Sequence, residues 1–166
     1  MKLISQSEAL EKLKIGKPII FQTDTLPAIG CMPKYSAIIY KVKKRNKNKS
    51  LILMASQIQQ VLDYVDIDAR DDFQQVAEKF WPGPLTLVVP IQKNKSLNFI
   101  SIENTLGIRI PDSLTARSLI YETGPLATSS ANISGLDTSF DAESVSYDLP
   151  EVDLLGPIPW EKCSGL

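Results

Sequence analysis

The sequence predicts a single α/β (α+β) domain built on a mixed sheet. Short apolar runs of strand length alternate with stretches whose apolar residues recur at i, i+3, i+4 and i+7. Strands and helices interspersed in this way pack as helices on a sheet. At 166 residues, 43% hydrophobic and 22% charged, the chain has enough apolar surface for one core. No internal repeat or linker divides it.

A first helix is expected over residues 5–15, capped by Ser5 or Ser7, with Ala9, Leu10 and Leu13 as its apolar stripe and Gly16 as its stop. Pro18-Ile19-Ile20-Phe21 reads as a buried strand running into a polar turn, Gln22-Thr23-Asp24-Thr25. Residues 26–33 hold Gly30 and two prolines and read as an irregular loop. Tyr35, Ile38, Ile39 and Val42 share a helix face. Leu51-Ile52-Leu53-Met54-Ala55 is the next strand. Residues 57–64 and 70–80 read as helices, the second ended by Trp81-Pro82-Gly83-Pro84, which we take as an aromatic anchor and rigid turn. Strands follow at 85–90 and 106–111, with a loop at 94–98 between them. A helix over 113–122 is capped by Asp112 or Ser113. Pro125-Leu126-Ala127-Thr128 is a short strand that enters a hydroxyl-rich loop, 129–135. A helical turn at 141–146 and a strand at 152–155 complete the order.

Composition narrows the chemistry. The chain has no histidine, which excludes His-based triads, His metal sites and a His general base. Cys31 and Cys163 lie far apart without metal-ligand spacing and read as free thiols in a reducing compartment. No apolar run approaches a membrane span, and the N-terminus lacks the apolar core of a signal peptide. A cytoplasmic location is expected. Neither GxxxxGK[ST] nor GxGxxG occurs.

The charge is unevenly placed. Residues 41–49 hold six of the 18 basic residues and no acidic one, leaving 12 against 19 acidic residues elsewhere. Such a cluster repels itself unless it is solvated or meets an anion. A solvated helix end and a phosphate site both fit. Three polar sites at strand ends, where α/β sheets commonly place ligands, accompany it. Thr23-Asp24-Thr25 suits either a small polar substrate or a turn. Arg109, in an apolar strand, needs a partner, either a substrate carboxylate or a protein carboxylate such as Asp24 or Asp112. Ser129-Ser130-Ala131-Asn132 suits either phosphate and ribose oxygens or an ordinary turn.

In their order, these motifs resemble those of the YrdC-like (TsaC-type) threonylcarbamoyl-AMP synthases. The resemblance runs from about Pro18 to Gly135. It rests on the strand followed by Thr23-Asp24-Thr25, on Lys43-Lys44-Arg45 with Lys49 and Leu51, on Trp81 to Thr86, on Gly107-Ile108-Arg109-Ile110-Pro111, and on Ser130-Ala131-Asn132 with Ser134-Gly135. It implies a twisted mixed sheet with flanking helices around a concave basic cavity. The implied reaction joins L-threonine, bicarbonate (or CO2) and ATP into threonylcarbamoyl-AMP and pyrophosphate. A tRNA threonylcarbamoyl transferase complex then uses the product. Lys43 and Arg45 would be catalytic and bind the phosphates, with Lys49 in support. Ser130 and Asn132 would hold the nucleotide. Thr23, Thr25 and Arg109 would bind threonine. Mg²⁺ would ride on the phosphates, with no protein metal site.

The chain departs from the family pattern at Leu26-Pro27-Ala28, where an aromatic residue and a glycine are usual, at Asn46 and at Ser113. As one domain spanning 1–166, it is expected to lack the family's final strand segment. Two other readings stand beside the synthase. One is an RNA-binding or ribosome-associated module, against which the compact basic cluster and the net charge of −1 argue. The other is a catalytically silent relative.

Overall fold

A computed structural model describes residues 1–92, 97, 100–101, 103–137 and 140–160. Except for Leu97, the expected loop at 94–98 lies outside these, as does Cys163. The strands are β1 (Leu3–Ile4), β2 (Ile19–Phe21), β3 (Ala28–Cys31), β4 (Ile52–Met54), β5 (Leu87–Pro90), β6 (Thr105–Arg109), β7 (Leu126–Ser130) and β8 (Asp153–Leu155). The helices are α1 (Gln6–Lys14), α2 (Ala37–Val42), α3 (Arg70–Phe80), α4 (Leu114–Thr123) and α5 (Ala142–Asp148). Among the described residues the strands form one sheet in the order β1-β8-β2-β3-β7-β4-β6-β5. The sheet is mixed, with β1/β8, β2/β8 and β4/β6 parallel and the other neighbours antiparallel.

The helix ends follow their sequence signals. Ser5 and Glu8 form a capping box on α1, with Ser5 N donating to Glu8 Oε2 at 2.8 Å. Ser113, not Asp112, caps α4 by accepting from Ala116 N. Strand alternation then divides the core. Ile20, Leu53 and Ile108 point to one side, with Ile39, Phe73 and Val145 of α2, α3 and α5. Ile19, Phe21 and Met54 point to the other, with Leu13 of α1 and Leu119 of α4. On this second side, the row Thr128–Ile52–Gly107–Val88 runs out from under the helices, and Val88 is 69% exposed. That open sheet face positions the site.

Two elements differ from expectation. Residues 26–33 are not all loop, because Ala28–Cys31 is a fully buried strand between β2 and β7. Its Gly30 has a packing reason, since a Cβ there would meet the Phe21 ring at 2.8 Å. The helix expected at 57–64 is instead two 3₁₀ turns, Ile58–Gln60 and Leu62–Tyr64, without side-chain caps. No helix among the described residues is long and apolar enough to cross a membrane.

Candidate active site

A cleft of about 320 Å³ lies on the open face. Its floor is Ala28, Ile52, Met54, Thr128 and Ser130. Its walls come from the turn after β2, the 84–86 segment and the loop between α2 and β4.

Arg109, the last residue of β6, is buried beneath the cleft at 6% exposure. Its guanidinium is held at each nitrogen. Nε donates to Gly83 O at 3.0 Å, Nη1 to Thr25 Oγ1 at 2.8 Å, and Nη2 to Asp24 Oδ1 at 2.6 Å. Asp24 is therefore its protein carboxylate, while Asp112 lies 3.6 Å from Arg117. Burial draws the Arg109 pKa down and the Asp24 charge opposes this; a guanidinium keeps its proton regardless. Among the described residues three of its five N–H groups are engaged.

The turn after β2 is built by its own hydroxyls. Thr23 Oγ1 donates to Leu26 O at 2.7 Å and accepts from Thr25 N at 3.2 Å. Both threonines are buried and line the cleft. The Trp81-Pro82-Gly83-Pro84 segment does more than end α3. It supplies the Gly83 carbonyl that holds Arg109, and Pro84 lines the cleft. A Cβ at Gly83 would lie 2.6 Å from Phe80 O, so this turn requires glycine. A glycine set between two prolines was the available sequence signal.

The basic stretch is sorted by the end of α2. Lys44 takes the left-handed conformation, φ 50°. Arg45 N then donates to Tyr40 O at 2.9 Å and Lys44 N to Lys41 O at 3.2 Å, a Schellman ending with lysine where glycine is usual. This turn sends neighbouring side chains different ways. Lys41, Lys44, Lys47 and Lys49 are exposed. Arg45 lines the cleft and donates through Nη2 to Ser50 O at 2.8 Å, while its buried Nε has no partner among the described residues. Lys43 turns inward to 1% exposure. Its ammonium donates to Ser130 O and, at 3.2 Å, to Asn132 Oδ1. Burial first, and Arg45 second, push its pKa from 10.5 down to about 8.

Asn132 is equally committed. Its Nδ2 donates to Ile133 O at 3.1 Å and Leu136 O at 2.9 Å, and its Oδ1 also accepts from Ser130 Oγ at 2.7 Å. Of the residues singled out from sequence, Thr23, Thr25, Arg45, Arg109 and Ser130 line one cleft. Lys43 and Asn132 do not line it and sit behind Ser130. Lys49 is exposed, and its carbonyl accepts from Tyr40 Oη at 3.0 Å. The two cleft arginines stand at opposite ends of β4. Arg45 holds Ser50 and Arg109 pairs in register with Met54, roughly 13 Å of extended chain apart. No cluster of three or more Asp, Glu, Cys or His residues that could hold a metal occurs among the described residues.

Comparison with known proteins identifies the family. Residues 11–155 match the family model for Sua5, YciO and YrdC proteins, described as "Telomere recombination". The chain is 32% identical over 172 residues to the threonylcarbamoyl-AMP synthase of Psychromonas ingrahamii, covering 99% of this chain and 90% of that one. It is 34% identical to the Bacillus subtilis threonylcarbamoyl-AMP synthase over 88% of this chain and 43% of that longer protein. The structure of P. abyssi Sua5 complexed with L-threonine superposes with a TM-score of 0.86 at 25% identity, covering 93% of this chain and 50% of that one. The family match over residues 11–155 and the relative matched at 32% identity over 99% of this chain show that the chain belongs to the YrdC-like (TsaC-type) threonylcarbamoyl-AMP synthase family.

Proposed function

We propose that the chain is an L-threonylcarbamoyladenylate synthase acting in the pathway to tRNA t6A37. The observation that carries this reading is the cleft with a pinned, buried arginine at one end of β4 and a partly unpartnered arginine at the other. Such a site takes a molecule with two separated anionic ends. Arg109 binds the threonine carboxylate through its remaining N–H groups, with Thr23 and Thr25 beside it. Arg45 meets the phosphates of ATP, with the exposed Lys49 in support and the charge of Lys43 behind Ser130. Mg²⁺ enters on phosphate oxygens, which suits a cation that keeps much of its water.

The chemistry needs no protein nucleophile. Threonine and bicarbonate form a carbamate. Its oxygen attacks the α-phosphorus of ATP, the bond to the β-phosphate oxygen breaks, and pyrophosphate leaves. The residues contribute positioning and stabilisation of charge on the phosphates. The product then passes to a tRNA threonylcarbamoyl transferase complex.

The test is pyrophosphate release from ATP with bicarbonate, Mg²⁺ and each of the twenty amino acids in turn. Threonine-dependent release is expected, and Arg45→Ala abolishes it in folded protein. Release that depends on no amino acid overturns the reading. The exposed Lys41, Lys44, Lys47 and Lys49 carry a second reading, contact with RNA. RNA binding that ATP does not displace and that weakens steeply with salt would favour it.

A further inference from the structure

Thr86 lines the cleft, and its hydroxyl has no hydrogen-bond partner among the described residues. The backbone that carries it is fixed from several sides. Gly83 N donates to Ile110 O at 2.9 Å, and Gly83 O accepts from Arg109 Nε at 3.0 Å. The Trp81 indole donates through Nε1 to Leu85 O at 2.6 Å. Thr86 therefore enters β5 from a turn tied to the end of β6 and to the end of α3, and its side chain is held where that backbone puts it.

Strand register sets the place. Leu87 pairs with Ile108 and Val88 with Gly107, so Thr86 comes beside Arg109 and, by alternation, shares the open face with Val88. Its methyl leans back along β6. A Cβ on Gly107 would meet Thr86 Cγ2 at 3.4 Å and Ile52 Cγ1 at 3.8 Å. Gly107 thus leaves a gap in the cleft floor between Thr86 and Ile52. Ile52 is halfway along the chain from Ser50, which Arg45 holds, to Met54, which pairs with Arg109. A threonine whose carboxylate sits on Arg109 and which extends toward Arg45 brings its amino nitrogen over this floor. The carbon added to that nitrogen then comes next to Thr86.

We infer that Thr86 is a catalytic residue whose hydroxyl donates to the one-carbon group, the carbamate made from bicarbonate, between the two ends held by arginine. The amine nitrogen bonds to the bicarbonate carbon, the hydroxyl of that carbon leaves with the amine proton as water, and the negative charge rests on the two carbamate oxygens. A neutral donor suits these oxygens, because it stabilises the charge without drawing the threonine carboxylate or the phosphates from their arginines. One carbamate oxygen then bonds to the α-phosphorus as pyrophosphate leaves with the electron pair of the broken P–O bond, and the other keeps the Thr86 hydrogen bond. The inference rests on the synthase reading for the identity of the reactants.

The test follows pyrophosphate release at saturating threonine and Mg²⁺-ATP while bicarbonate is varied. Thr86→Val keeps the methyl on Gly107 and removes the hydroxyl. It is expected to lower kcat/KM for bicarbonate about tenfold, the worth of one hydrogen bond to a charged group. Calorimetry without bicarbonate is expected to give dissociation constants for threonine and for Mg²⁺-ATP within about twofold of wild type, because the hydroxyl touches neither end. Thr86→Ser keeps the hydroxyl, drops the methyl and retains the wild-type dependence on bicarbonate. If Thr86→Val does not fold, Thr86→Ala against Thr86→Ser makes the same comparison without the methyl. A variant lacking the hydroxyl that keeps the wild-type kcat/KM for bicarbonate overturns the inference. Loss of threonine or ATP binding in that variant also overturns it, since the hydroxyl would then serve an anionic end. A Thr86→Ser protein as impaired as Thr86→Val overturns it too, since the methyl packing would then be the cause. Wild-type protein that releases no pyrophosphate with threonine overturns the synthase reading itself, a distinct result.

Discussion

Arg109 and Lys43 are both cations withdrawn from water, and the fold treats them differently. Arg109 has a carboxylate, a hydroxyl and a carbonyl fixed around its planar fork, and it still borders the cleft. Among the described residues Lys43 has only neutral acceptors, a carbonyl and a carboxamide, and it is shut away. The guanidinium cannot shed its charge, so burial there goes with an opposite charge. The ammonium can, and its lowered pKa records how little compensates its burial. One cation is paired with a carboxylate and borders the cleft; the other donates to two neutral oxygens of the loop after β7.

The contrast is broken most directly at Arg109. Arg109→Ala is expected to destabilise the protein by about 3 kcal/mol or more, because it opens a buried ion pair. A denaturant midpoint that moves by less than 1 kcal/mol equivalent would show that Asp24 is compensated without it. The next effect is pH-dependent. Below about pH 8 Lys43 is charged in both folded and unfolded chains, and the fold carries the full desolvation penalty. Between about 8 and 10.5 the unfolded chain binds more protons, so stability rises with pH by up to about 3 kcal/mol. Above that window the gain is complete. Melting curves of wild type and Lys43→Met over this range should diverge through this window, and parallel curves would remove the depressed pKa. Nucleotide affinity should fall over the same range as the ammonium is lost.

A smaller effect sharpens the comparison from the other side. At pH 7 Lys43→Met is expected to change stability by about 1 kcal/mol or less, because the desolvation penalty it relieves offsets the hydrogen bonds it loses. Each acceptor it deserts keeps another donor, because Asn132 N reaches Ser130 O at 3.1 Å and Ser130 Oγ reaches Asn132 Oδ1. A loss comparable to that of Arg109→Ala would mean that Lys43 is chiefly structural. Smallest is Lys44→Gly, expected to stabilise by about 0.5 kcal/mol, since glycine relieves the positive φ while the exposed ammonium has little to lose. A lower melting temperature for this variant would argue against left-handed strain at Lys44.

Much of the site was legible in the chain. Thr23-Asp24-Thr25, Arg109 and Ser130-Ala131-Asn132 each follow an apolar strand run or, for Arg109, lie in one, and strand ends converge on one edge of a sheet. What a linear pattern could not separate was direction. Lys43 and Arg45 are two residues apart, both basic, both in a cluster with even charge density. Only the left-handed turn at Lys44 places one in the cleft and the other behind it. The Gly83 carbonyl was invisible for a related reason, because a backbone acceptor carries no residue signature. The strand at Ala28–Cys31 was hidden by its glycine and flanking prolines, which signal loops until the Phe21 ring is placed over Gly30.

By itself, then, the sequence determined the class of the fold, the places where α1, α3 and α4 begin and end, and the set of polar residues from which a site could be made. Apolar periodicity and capping act over a few neighbouring residues, so a linear reading captures them. The tertiary structure alone decided that Asp24 rather than Asp112 faces Arg109, that Lys43 rather than Lys49 is buried, and that Asn132 holds Ser130 instead of facing the cleft. The choices at Asp24 and Lys43 depend on groups brought together across 85 to 89 positions of chain, where burial and hydrogen-bond direction, not residue type, determine which partner each group takes.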